Sequence, residues 1–276
     1  MTVYLGVFIV IFSLFSANSW AEDTPLEATL VSDFSKDSLG GNSFELDILQ
    51  WTANKSPRPV NFTRRHVSLT KALSLLSQIS NACVLNVIKT PERQKLAVYS
   101  QRPLTVYPPI RLITLAEKNI DLPDPFDLYR LSDKYPLVVG VVATRSYGGK
   151  IDSFINSHKE ILYQRPYTAS IKRFVDMLES GRIDGLLEFT RSVEEYISNS
   201  NRLDLKLKVT SLTQANKVVF GYLACAKTDE GKQIITAVNQ AYESATLKQR
   251  IINAHIEFFG AKEERLLRPI LEHVFE

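Results

Sequence analysis

Apolar positions along the chain change period repeatedly, and the changes alternate. LEATLV (26–31), VNFT (60–63) and ACVLNVI (82–88) are short apolar runs of strand character. FELDILQWTA (44–53) and KALSLLSQI (71–79), lying between them, carry apolar residues at helical spacing, with Thr70 available as the second helix's cap. A second series follows: the strand LVVGVVA (137–143), a helix from about Gly149 to Asn156, the strand ILYQ (161–164), IKRFVDMLESG (171–181) capped by Ser170, and the strand GLLEF (185–189). Such alternation predicts parallel βαβ units with helices packed on a sheet. Residues 100–127 break the rhythm with five prolines around the extended run IRLITLA, as expected of chain passing between two compact units. LDLKLKV (203–209) alternates with period two, VVFGYLACAKT (218–228) is a long apolar strand that can return to the first unit, and residues 230–275 read as helical, interrupted at Pro269. Two α/β units joined by two crossings place a cleft between them.

The first 21 residues carry no charged side chain, and their apolar stretch, Val3 to Phe15, is too short to span a bilayer. Ser19 and Ala21 supply the small residues of a cleavage site, which predicts a signal peptide over 1–21 and export. Lys and Arg total 33 against 30 acidic residues, spread without a dense block, so nucleic-acid binding has no compositional support. Two cysteines, Cys83 and Cys225, lie in separate apolar strands. An exported chain accommodates a disulfide between them or two buried thiols.

The candidate chemistry concentrates where ACVLNVI gives way to KTPER (89–93). Thr90 suits an N-cap, Pro91 the first helical position, and Glu92 the positive end of the dipole. Arg93 then falls in the first turn on the rim of the sheet where α/β folds place ligands. Its planar fork can grip a carboxylate with two bonds, or simply pair with Glu92. The four histidines occur singly, and the sequence contains neither a G-x-S-x-G elbow nor a phosphate loop. No cofactor or metal is therefore expected.

Thr90, Arg93, Tyr99 and Ser100 match the pattern T-x-x-R-x-x-x-x-x-[FY]-S, and this segment resembles family 3 extracellular solute-binding proteins, in particular a branch that carries KTPER itself. The resemblance covers Leu26 to about His255. It implies the type II periplasmic-binding fold: one lobe from 22–110 plus 217–276, a second from 111–216, and a cleft that shuts on a small-molecule ligand. It further implies that the strands bearing Cys83 and Cys225 are neighbours, bringing a disulfide within reach. In the family, the arginine at the position of Arg93 holds a ligand carboxylate. VGVVATRSYGG (139–149) is similar to the family's ligand-touching loop, which makes Ser146 a candidate hydroxyl contact with Thr144 and Arg145 beside it; Phe34 resembles the stacking aromatic. Two departures stand out. Ile88 replaces a serine, and the family's ammonium-binding aspartate aligns with Phe189, leaving Glu188 one residue earlier as the nearest acid.

The function implied is a monomeric, non-enzymatic binding protein for amino acids or related carboxylates, delivering to an inner-membrane ABC permease. Two other readings accompany it: a ligand-sensing or partner-recognition module without a permease, docking through KEERLLRPILEHVFE (262–276), and a periplasmic lyase that uses Glu188 as general acid.

Overall fold

The computed structural model describes residues 24–32, 43–143, 145–165, 170–215 and 217–276. The expected signal peptide, Phe34 and Thr144 lie outside the described residues. No helix among the described residues is long and apolar enough to cross a membrane.

The first alternating series begins with strand β1 (Leu26–Ser32), helix α1 (Ser43–Lys55), β2 (Val60–His66), α2 (Leu69–Leu75) and β3 (Ala82–Val87). Ser68, not Thr70, caps α2: its hydroxyl accepts from Lys71 N–H, and Thr70 falls inside the helix. The reason is spacing, since a cap must precede the orphan N–H groups by two or three residues. After β3 come the six-residue helix α3 (Pro91–Leu96) and two three-residue strands, β4 (Ala97–Tyr99) and β5 (Thr105–Tyr107). The sequence pattern does not reveal those strands, because prolines 103, 108 and 109 surround them.

The second series is β6 (Arg111–Leu115), β7 (Val139–Val142), α4 (Gly149–Ser157), β8 (Leu162–Arg165), α5 (Ser170–Glu179), β9 (Gly185–Glu188), α6 (Thr190–Asn199) and β10 (Leu207–Thr210). β11 (Val219–Ala226) then returns, followed by α7 (Asp229–Ala241), α8 (Ala245–Phe259) and α9 (Ala261–Phe275). The long helical run is thus divided before α8, which Ser244 caps by accepting from Leu247 N–H. Pro269 does not interrupt α9, which continues through it and forgoes one ladder bond.

Two sheets organise these elements. The first has the order β2-β1-β3-β11-β4, with β5 also paired to β11; β1 runs parallel to β2 and β3, and β11 antiparallel to β3, β4 and β5. The second has the order β10-β6-β9-β7-β8, with β7 parallel to β8 and β9. β11 belongs to the first sheet but follows the second series, so the chain crosses between sheets after β5 and again after β10. Leu30, Ile48 and Leu49 belong to the core on one face of the first sheet, and Val31, Ala72, Leu75 and Val84 form a smaller cluster with α2 on the other. Cys83 and Cys225 are opposed in register on β3 and β11 and are joined by a disulfide.

Candidate functional site

A cavity of about 80 Å³ lies where the two sheets face each other, large enough for several waters or a compact solute. The first sheet and its helices contribute Glu45, Asn86, Arg93 and Tyr107; the loops of the second contribute Arg145, Ser146, Tyr147 and Phe189. The walls meet directly, since Tyr107 on β5 stacks on Phe189 beyond β9, with ring centroids 4.4 Å apart and planes inclined by 21°. That geometry is an offset aromatic pair formed across the cleft.

Arg93 reaches the cavity because of the elbow after β3. Thr90 accepts from the Arg93 backbone N–H at 3.3 Å and starts α3, while the guanidinium donates to the carbonyl of Ile88 at 3.3 Å. Burial pulls the guanidinium below its ordinary pKa, whereas Tyr99, Asp152 and Glu92 favour the charged form. α3 has only six residues, so the side chain rather than a helix terminus carries any attraction for anions.

The same wall also carries a hydrogen-bond relay. The β3–β11 pairing shifts register between Tyr222 and Ala224, and opposite that shift Asn86 adopts φ 53°. Such irregularities re-aim side chains. Asn86 accepts from Thr105 at 2.6 Å and donates to the Tyr107 hydroxyl at 3.2 Å; Tyr107 in turn donates to Glu45 Oε1. Gly221 makes room for this, because a Cβ there would lie 2.6 Å from Thr105 Oγ1 and 2.9 Å from Asn86 Oδ1. Glu45 is fully buried in the first turn of α1, and burial pushes its carboxyl up to about 8. Its second oxygen, Oε2, has no hydrogen-bond partner.

No protein-family model matches the chain, and no curated protein does. Solved structures do. A chain from the GshT–TcyBC glutathione and cystine import system of Streptococcus mutans superposes with a TM-score of 0.66 at 17% identity, covering 86% of this chain and 96% of that one. The arginine-specific periplasmic binding protein STM4351 of Salmonella typhimurium gives 0.61 at 12% identity, covering 85% and 99%. A histidine-bound ABC uptake substrate-binding protein from Streptococcus pneumoniae gives 0.60 at 15%, covering 85% and 93%. The chain has the type II periplasmic-binding-protein fold.

In this periplasmic-binding fold the sequence-derived candidates separate into distinct environments. Arg93, Arg145 and Ser146 line the cavity. Arg145 is also committed within the protein: its Nη1 lies 2.5 Å from Glu188 Oε2, and its guanidinium sits over the rings of Tyr147 and Phe189. Glu188, 1% exposed, takes this ion pair on Oε2 and the Phe189 N–H on Oε1, and it does not line the cavity. Ser146 donates to Asp152 at 2.5 Å, and the same carboxylate accepts from Tyr147 N–H at 2.6 Å. The start of α4 is therefore neutralised by the chain's own Asp152. Glu45, Asn86 and the relay were not identified from the sequence; the acidic first turn of FELD was the only local signal. Among the described residues, no cluster of His, Cys, Asp or Glu is arranged to hold a metal ion.

Proposed function

We propose that this chain is a periplasmic solute-binding protein of the family 3 type, whose two lobes hinge shut on a small carboxylated solute for uptake through an ABC permease. The observation that carries the reading is the Arg93 guanidinium on the wall of a cavity between two α/β sheets. A guanidinium fork held by its own backbone suits a carboxylate, with each charge-assisted bond contributing about 1.5–3 kcal/mol. The structural neighbours named above are described as binding or import proteins for arginine, histidine and glutathione, which supports solute capture without naming this chain's solute. The Cys83–Cys225 disulfide suits an oxidising compartment, in keeping with the leader-like residues 1–21. Lobes of 22–110 plus 217–276 and of 111–216 would follow the division of strands between the sheets.

The test is calorimetric titration of the wild type and Arg93→Ala with the solute that copurifies from the periplasm. Loss of one half of a buried charge pair predicts about 2–5 kcal/mol weaker binding. An unchanged affinity would show that Arg93 does not grip the solute.

A further inference from the structure

The cavity holds a second polar group suited to contact a solute, and its chemistry narrows the solute class; this step rests on the solute-binding reading. We infer that Glu45 touches the solute and donates a hydrogen bond from Oε2, so that the cavity selects a short carboxylate with a second acceptor group over one with an ammonium.

The direction of the relay is the first reason. Thr105 donates to Asn86, Asn86 to Tyr107, and Tyr107 to Glu45 Oε1, so every donor in the series points at that oxygen. On a neutral carboxyl the proton then resides on Oε2. That atom is buried, belongs to a side chain lining the cavity, and has no partner. A buried donor left unsatisfied is costly, and a solute oxygen would relieve it.

The surroundings are the second reason. Burial, with a smaller push from Glu195, raises the Glu45 carboxyl to about 8 and outweighs the Tyr107 hydrogen bond and the residue's own backbone N–H, which pull it down. His255 of α8, whose ring lies 5.0 Å from that of neighbouring Phe44, is neutral too: its pKa is pushed down to about 4, with Nε2 accepting from Val106 N–H and Nδ1 on the carbonyl of Ile251. Arg93 and Arg145 line the same cavity, and Arg145 already has Glu188. Glu45 is the single acid among the described lining residues, and while it keeps its proton it has no charge to offer an ammonium. A short dicarboxylate, or an oxo or hydroxy acid, would place one end on Arg93 and an oxygen on Glu45.

Succinate and aspartate form a matched pair that differs by the ammonium, and titration of the full mature chain with each decides the matter. The expected result is succinate bound at least about tenfold more tightly than aspartate. Glu45→Gln, whose amide N–H replaces the acid O–H, should keep succinate affinity within about threefold, whereas Glu45→Leu should lose about tenfold. Where succinate is fully ionised, from about pH 6.5 upward, wild-type affinity should hold nearly constant to about pH 7 and fall as pH rises through 8, as the donor is lost, while Glu45→Gln stays flat over the same range. Tighter binding of aspartate, abolished in Glu45→Gln, would overturn the inference by showing an ionised Glu45 on an ammonium. So would indifference of succinate affinity to a folded Glu45→Leu, or failure of the wild type to bind either probe. The solute-binding reading is tested separately, by whether a solute copurifies with the wild type and binds it again in the calorimetric titration.

Discussion

A buried carboxyl such as Glu45 ties stability to pH as well as shaping the cavity. Its folded-state pKa, about 8, lies above the ordinary 4.5, so the folded protein keeps a proton that the unfolded chain releases between those values. Stability from this group is fully present below pH 4.5 and declines as pH rises towards 8. Glu45→Gln removes the dependence, and its stability relative to wild type should increase from pH 5 to 8, standing at pH 7 roughly 3 kcal/mol above its value below pH 4.5. Urea unfolding of both proteins across that range measures it; a constant difference would mean that Glu45 is ionised in the fold. His255 acts in the opposite sense, since its depressed pKa costs stability as pH falls from 6.5 towards 4. The paired comparison cancels that contribution. At this scale the elbow that carries Arg93 was legible, because its cap and proline are adjacent in sequence. Glu45 was not: its partner Tyr107 is 62 residues away, and nothing near either residue announces the contact.

Among the elements, α9 has the clearest energetic role. Leu267, Leu271 and Phe275 are buried, Phe275 packs against Tyr242 at 5.8 Å, and Arg102 of the first unit donates to the carbonyl of Val274. Its apolar face is thus spent on its own chain. Deleting 262–276 should therefore lower stability by several kcal/mol, at about 1.5–3 kcal/mol per buried side chain, with no change from oligomer to monomer on gel filtration. Dissociation of an oligomer with thermal stability unchanged would restore the docking reading of this segment. Helices and strands with a full turn or four residues of clean periodicity could be read from the sequence, as α1, β3, β7, β9 and β11 show. β4 and β5 could not, because three residues carry no period and their pairing is supplied by β11, more than 100 positions later. α6 escaped for a different reason: TRSVEEYISN is largely polar, and only Ser192, Val193 and Ile197 are buried.

For the whole molecule, alternation predicted two α/β units and the proline-rich stretch predicted a crossing, and both are present as two sheets joined at β5–β6 and β10–β11. The cavity's contents depend on what the crossings bring together, such as Tyr107 on Phe189 and Arg111 of β6 within 3.8 Å of Glu263 on α9. Contacts of that kind follow from the tertiary arrangement and leave no periodic trace in sequence. Every strand of the second sheet lies between Cys83 and Cys225, which are 142 positions apart. A protease nick in that span, for instance near exposed Tyr129, would leave two fragments still covalently tethered. Electrophoresis without reductant should show one full-length band and with reductant two shorter ones, so the second unit can be severed from the linear chain without being lost from the molecule.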